Sequence, residues 1–136
     1  MVCEEKSEVY KATRAVHSAA LFLGNAELIS FSEDVSRYNA VDKVAGDVPL
    51  RRLEFSKLTL VSSGRLSAHV VLKAARVGIP IVVSIASALS SDVEAAEKGG
   101  VTPVSALNKE CVYVYTFQIE WSLNHDEGTA TYVTQD

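Results

Sequence analysis

Short apolar runs alternate along this chain with segments in which apolar residues recur every three or four positions, so the pattern predicts strands interleaved with helices. The predicted strands lie at 15–23, 27–32, 58–61, 79–83, 101–107 and 111–116. The first two form a hairpin around the turn signal Gly24-Asn25. The segment 79–83 is continuously apolar, which predicts a strand buried on both faces.

Three segments have a helical pattern, and we predict helices at 36–45, 66–77 and 92–98. Gly46 is the predicted end of the first helix, residues 48–57 form a link, and Gly78 ends the second helix. The resulting order, β-β-α-β-α-β-α-β-β, predicts an α/β fold with parallel strands in the middle of a mixed sheet. We expect residues 1–116 to form a single domain and residues 117–136 a C-terminal extension or tail.

Composition narrows the class of protein. The chain has 136 residues, 48% hydrophobic and 22% charged, which suits one folded domain and excludes wholesale disorder. Thirteen basic and 17 acidic residues give a net charge of −4, which argues against nucleic-acid binding. The longest uncharged stretch, 77–91, is interrupted by Pro80 and is shorter than the roughly 20 residues of a membrane span. We therefore expect a cytoplasmic protein that binds no membrane.

Cysteine and histidine spacing excludes several kinds of site. Cys3 and Cys111 are too far apart in sequence for a C-x-x-C motif or a zinc ribbon. The three histidines form no H-x-x-x-H or H-E-x-x-H pattern, so we expect no zinc and no other metal. The sequence assigns no catalytic residue.

Polar residues follow two of the predicted strands and are candidates for binding an anion. Ser63, Gly64 and Arg65 join a strand to a helix, where backbone N–H groups and a guanidinium can meet a phosphate. The alternative is that Ser63 caps the helix and Gly64 makes the turn. Ser84 and Ser87 follow the next strand, at the sheet edge where α/β folds bind ligands, although serine is also common in turns.

Two further segments have alternative interpretations. Residues 33–43 are either a solvated helix start with side-chain ion pairs or the lining of a pocket. In the second case the pocket residues are Arg37, Asn39, Asp42 and Lys43. His17 lies in an apolar strand and is either a hydrogen-bonded core residue or a ligand-binding residue.

Taken in order, four segments of the chain resemble the FdhD family of formate dehydrogenase accessory sulfurtransferases. TRAVHSAALF is similar to T-G-G-V-H-x-A-A-L-F, and EDVSRYNAVDKVAG to E-D-V-G-R-H-N-A-x-D-K-v-x-G. The stretch from SSGRLS to GGVTPV is similar to the family's S-G-R-x-S, K-A-A-x-x-G-I-P and V-x-x-A-x-x-x-G-x-T-x-V, and VYVYT to its closing v-Y-T. The resemblance covers about residues 10–116.

The resemblance implies a three-layer α/β/α fold with a mixed sheet, related to that of the cytidine deaminases. It implies a cytoplasmic, dimeric protein whose partners are formate dehydrogenase and a cysteine desulfurase. The implied ligand is the molybdenum guanine dinucleotide cofactor, or its GDP-like part, which such proteins help to sulfurate. The segments around Arg37 and Gly64 then become the cofactor pocket, together with His17 and the serines after the strands. Deaminase chemistry is not implied, since H-x-E and P-C-x-x-C are missing.

The chain departs from the family pattern at three places. No C-x-x-C, the sulfur-carrying motif of the family, is found in it. Arg14 and Ala15 stand where the family has two glycines, and Ser36 and Tyr38 replace the glycine and histidine of G-R-H-N. These differences leave an alternative function, a non-catalytic module that binds a nucleotide or a partner without transferring sulfur.

Overall fold

The computed structural model describes residues 5–24, 26–106 and 112–115, which contain a six-stranded mixed sheet. The strands are β1 His17–Leu23, β2 Leu28–Asp34, β3 Leu58–Ser62, β4 Ile81–Ser84, β5 Thr102–Ala106 and β6 Val112–Val114. They lie in the order β2-β1-β3-β4-β5-β6. The β3–β4 and β4–β5 pairs are parallel and the remaining neighbours are antiparallel. The predicted central parallel strands and initial hairpin are therefore confirmed.

Four α-helices and a short 3₁₀ turn at Phe55–Lys57 complete the described part of the chain. The helices are α1 Glu8–Thr13, α2 Arg37–Leu50, α3 Ala68–Val77 and α4 Ser90–Gly99. Helix α1 was not predicted, because its six residues are too few to display a helical period. The predicted tail 117–136 lies outside the described residues, as do the ends of the last two predicted strands at Leu107, Cys111 and Thr116.

One face of the sheet forms the main core with α2, α3 and α4. Leu21, Leu60 and Val82 sit side by side on neighbouring strands and are fully buried. Val44 of α2 and Val70 of α3 belong to the same buried cluster. Burial of each such side chain contributes about 1.5–3 kcal/mol, so this layer accounts for much of the stability of the fold.

The opposite face of the sheet carries α1. Phe31 and Val61 lie on either side of Ala20 in the strand register and point away from the main core. Glu33 shares that face with Phe31, and its carboxylate accepts a hydrogen bond from Ser7, the N-cap residue of α1. Helices therefore lie on both sides of the sheet, and the α/β class with a mixed sheet is confirmed.

All three predicted helices have boundaries that differ from the structure. The last, α4, spans Ser90–Gly99 rather than 92–98. Helix α2 does not stop at Gly46 but continues to Leu50, because Val48 extends the buried stripe of Val41 and Val44 for another turn. Helix α3 begins at Ala68 rather than at residue 66. Its N-cap is Ser67, so the interpretation of Ser63 as the helix cap is wrong.

Strand β4 is buried on one face only. Val82 and Ser84 are buried, whereas Ile81 and Val83 are half-buried, so the prediction of burial on both faces is wrong. Gly78, with a φ of 87°, ends α3 in the left-handed conformation, as its sequence position predicts. None of the helices in the described ranges has the length and apolar character needed to cross a bilayer.

Candidate functional site

Seven elements converge at one edge of the sheet. Strands β3 and β4 are parallel, so both end there, at Ser62 and Ser84. Strand β1 is antiparallel to β3 and starts at the same edge with His17, which pairs with Asp34 at the end of β2. Helices α2, α3 and α4 follow β2, β3 and β4 and begin at this edge. It therefore gathers three helix N-termini, the positive ends of the helix dipoles.

The loop after β3 is held in place by two serine hydroxyls. The Ser62 hydroxyl accepts a hydrogen bond from the N–H of Gly64 at 3.2 Å. The Ser84 hydroxyl donates a hydrogen bond to the carbonyl of Gly64 at 2.7 Å. Ser84 also accepts a hydrogen bond from the N–H of Ala86 at 3.0 Å. Both serines are buried. Ser84, a predicted binding residue, thus fixes the position of the loop.

Ser63 connects the same loop to β1. Its hydroxyl accepts a hydrogen bond from the N–H of Ser18 at 2.8 Å, and its own N–H donates to the Ser18 carbonyl at 2.9 Å. This pair of bonds extends the β1–β3 ladder by one residue beyond Ser62. Ser63 is therefore held beside His17 at the edge.

Arg37, the first residue of α2, packs directly on Gly64. A Cβ atom at position 64 would lie 2.6 Å from the Cδ and 2.8 Å from the Cβ of Arg37, closer than carbon atoms can approach. The Arg37 guanidinium lies 4.6 Å from the centre of the Tyr38 ring and donates to the Tyr38 hydroxyl at 2.8 Å. Its Nε is buried with no partner among the described residues. Glycine at position 64 is what lets the aliphatic stem of Arg37 pack on the loop.

Two guanidinium charges act on the Tyr38 hydroxyl. The pKa of the Tyr38 hydroxyl is lowered from its ordinary value, mainly by the neighbouring Ser67 hydroxyl, then by the hydrogen bond from Arg37 and the charges of Arg37 and Arg65. Arg65 is exposed and has no ion pair with a described residue. Two guanidinium groups beside a loop with a glycine can bind a phosphate group.

Asn39 and Lys43 hold the turn between β2 and α2. Lys43 Nζ lies 2.7 Å from Asp34 Oδ2 and donates to the Glu33 carbonyl at 3.0 Å. Asn39 Nδ2 donates to Asp34 Oδ1 at 3.3 Å. The pKa of Asp34 is lowered, first by the hydrogen bond from Lys43 and then by that from the N–H of Ser36. These two predicted binding residues thus position the N-terminus of α2.

Asp42 and Ser87 are not part of this cluster. Asp42 accepts two hydrogen bonds from Lys73 of α3, at 2.6 and 2.8 Å, and so connects α2 to α3. Ser87 is exposed in the loop between β4 and α4. The structure brings Arg37, Gly64 and Arg65 together but leaves these two residues outside.

A cavity of about 280 Å³ lies beside Ser63 on the α1 side of the sheet. His17 and Ser63, which are predicted binding residues, line it, and so do Tyr10, Arg14 and Ile85. Neither Tyr10 nor Arg14 was predicted as a binding residue. For Arg14, the signal in the sequence was that the family has a glycine at this position. A group of three or more metal-ligating side chains is not found among the described residues.

Comparison with known proteins agrees with this fold and with this arrangement of motifs. The model of the FdhD/NarQ family matches residues 2–120. The chain belongs to the FdhD/NarQ family. It is 43% identical over 109 residues to the sulfur carrier protein FdhD of Sulfolobus acidocaldarius, a match that covers 79% of this chain and 43% of the relative. The FdhD protein of Wolinella succinogenes is 40% identical over 113 residues, covering 83% and 39% of the two chains.

A solved structure gives the same result for the fold. The crystal structure described as a formate dehydrogenase accessory protein from Desulfotalea psychrophila superposes with a TM-score of 0.75 and 36% identity. The match covers 83% of this chain and 50% of the other. The chain thus spans less than half the length of the curated FdhD relatives named above and half of the solved one.

Proposed function

We propose that this chain is the cofactor-binding portion of an FdhD-type accessory protein for formate dehydrogenase. In this proposal it binds the molybdenum guanine dinucleotide cofactor through its GDP-like part and takes part in the sulfuration of that cofactor. Membership of the FdhD/NarQ family supports the assignment. So do the names of the relatives, which are sulfur carrier proteins and a formate dehydrogenase accessory protein.

The contact between Arg37 and Gly64 is the observation that carries the proposal. It packs the aliphatic stem of Arg37 on the loop that follows β3, and the Nε of the same side chain lacks a partner among the described residues. A diphosphate needs several charge-assisted donors in one small region, and the side chains of Arg37 and Arg65 can supply them beside the N-terminus of α2. The residues therefore fit the phosphate part of a guanine dinucleotide.

The remaining predicted residues have distinct parts in this proposal. His17 and Ser63 contact the ligand from the neighbouring cavity. Ser84 fixes the Gly64 loop, while Asn39 and Lys43 fix the start of α2. Asp42 and Ser87 lie further away, and we assign them no direct contact.

Binding of GDP by the full chain, measured by calorimetry, tests the proposal. Replacing Arg65 with alanine removes an exposed charge, and loss of one charge-assisted contact costs about 1.5–3 kcal/mol, which is roughly a 10- to 150-fold loss of affinity. Arg76→Ala, which removes an arginine from the far end of α3, should leave the affinity unchanged. Absence of GDP binding to the wild type, or equal affinities for Arg65→Ala and the wild type, would contradict the proposal.

Sulfur loading separates this proposal from the alternative of a module that only binds. The chain has two cysteines and no C-x-x-C motif, and Cys3 precedes two glutamates, whose charge disfavours the reactive thiolate. We expect a cysteine desulfurase to load no sulfur on this chain by itself. Loading should require a C-x-x-C segment, supplied covalently or in trans. Mass spectrometry that detects one added sulfur atom per chain without that segment would overturn this expectation.

The proposed partners follow from the same assignment. They are a cysteine desulfurase as the sulfur source, formate dehydrogenase as the recipient, and a second copy of the chain in a cytoplasmic homodimer. Light scattering at micromolar concentration tests the dimer, and a mass of 14.7 kDa alone would contradict it.

A further inference from the structure

Arg14 has a backbone conformation that arginine rarely adopts. It closes α1 with a φ of 56° and a ψ of 16°, in the left-handed region that favours glycine. Its N–H donates to the Tyr10 carbonyl at 2.8 Å, as a glycine would in the same cap. The hydrogen bond of the cap therefore does not require the arginine side chain. Non-glycine residues held in this conformation cluster at functional sites.

This conformation places a positive charge at the rim of the 280 Å³ cavity. The Arg14 guanidinium lies 5.1 Å from the centre of the Tyr10 ring, and both residues line the cavity with His17 and Ser63. Arg14 is exposed and has no ion pair with a described residue, whereas Lys11 on the same helix is paired with Glu8. The ring orients the guanidinium and leaves its hydrogen-bond donors free for a ligand.

The loop after β3 connects this cavity to the Arg37 cluster. Ser63 lines the cavity, and the next residue, Gly64, packs on Arg37. Two consecutive residues of this short loop therefore lie beside two arginine side chains, Arg14 in the lining of the same cavity and Arg37 on the α2 side. An anionic group bound in the cavity against this loop can receive donors from Arg14.

We propose that Arg14 is a specificity-determining residue that binds a diphosphate group in the cavity formed with Tyr10, His17 and Ser63. This inference rests on the proposed function, because it assigns one part of the nucleotide ligand to a residue outside the predicted pocket. The cavity is slightly smaller than the 300–1,000 Å³ typical of sites for whole drug-sized ligands. It therefore holds the charged part of the ligand and not a complete guanine dinucleotide.

Titration of the full chain with inorganic pyrophosphate and with GDP tests the inference. Arg14→Gly removes the guanidinium and relieves the strain, so the variant folds, and we expect its pyrophosphate affinity to fall about 10-fold or more. Arg14→Lys keeps a charge and should lose less. Arg52→Gly is the matched control, since Arg52 also has a φ of 56° and does not line the cavity. Both glycine variants should gain thermal stability, and only Arg14→Gly should lose affinity.

The outcomes separate this inference from the proposed function. If GDP binding depends on Arg65 but Arg14→Gly binds pyrophosphate as tightly as the wild type, the inference is wrong and the proposed function stands. If pyrophosphate binding depends on Arg14 while GDP does not bind, the inference stands and the proposed function fails. A wild-type chain that binds neither ligand would overturn both.

Discussion

Asp92 connects the N-termini of two helices, and its removal is expected to destabilise the fold next to the candidate site. Asp92 is buried, with only 5% of its surface exposed. Its Oδ1 accepts a hydrogen bond from the N–H of Ala68, the first residue of α3, at 2.8 Å. Its Oδ2 accepts one from the N–H of Leu89, the N-cap residue of α4, at 3.1 Å. Both donors are end groups that have no partner within their own helix.

Replacement of Asp92 by alanine leaves both N–H groups without this acceptor. A hydrogen bond to a charged group contributes about 1.5–3 kcal/mol, and substitution of a helix-capping side chain costs about 0.5–2 kcal/mol. Because water can reach part of the opened space, we expect a loss of about 3 kcal/mol in the free energy of unfolding. Asp92→Asn keeps one acceptor oxygen and should lose about half as much. A loss of 3 kcal/mol is a large fraction of the roughly 5–15 kcal/mol that stabilises a typical domain.

Urea denaturation followed by circular dichroism at the helix band measures these differences. Glu94→Ala is the matched control, because Glu94 is an acidic residue of the same helix whose pairing with Lys98 is exposed. That pair contributes about 0.2–0.5 kcal/mol, so the control should unfold close to the wild type. If Asp92→Ala lost less than about 1 kcal/mol, the two hydrogen bonds would not be stabilising the helix ends as described.

Three further predictions concern other contacts at this edge. Gly64→Ala should lower the free energy of unfolding by about 1–3 kcal/mol, because the added Cβ would be overpacked against Arg37. Gly46→Ala, inside α2 with open space around it, should raise the free energy of unfolding by about 0.5–1 kcal/mol. Equal urea midpoints for the two variants would contradict this prediction. The pKa of Asp34 is lowered in the folded chain, so its carboxylate contributes to the free energy of unfolding at pH values above its ordinary pKa of 3.8. That contribution is lost as the pH falls through the folded pKa, and the free energy of unfolding of Asp34→Asn should therefore depend less on pH in this acidic range. The pKa of Tyr38 is also lowered, so the absorbance titration of wild type minus Tyr38→Phe should have its midpoint below 10.0, and a midpoint at or above that value would refute the assigned environment.

Local sequence patterns determined most of the secondary structure. The apolar stripe of α3 and the left-handed glycine at Gly78 are signals confined to a few neighbouring residues, and both were interpreted correctly. The hairpin around Gly24 has the same local origin. The sequence motifs also determined the family, because four segments in the right order are specific even where single residues differ. These features need no knowledge of which distant residues meet.

Contacts between distant residues determined the remaining boundaries. Helix α2 passes through Gly46 because Val48 finds a place in a core built from several strands, which a helix-stop signal cannot reveal. The start of α3 depends on Asp92, which is 24 residues further along the chain. In both cases burial and hydrogen bonding in the folded chain outweigh local propensities of less than about 1 kcal/mol per residue.

The candidate site also has features that the sequence predicts and features that depend on contacts between distant residues. The sequence alone placed Arg37, Gly64 and Arg65 near the ends of neighbouring elements, because strand–helix alternation brings those ends to one edge. Only the tertiary structure decided that Gly64 packs on Arg37, that Asp42 pairs with Lys73, and that Arg14 lines the cavity beside Ser63. The directions of these side chains and the positive φ of Arg14 depend on how β1, β3 and the helices pack against one another. That packing involves residues far apart in the chain, and no short segment of the sequence determines it.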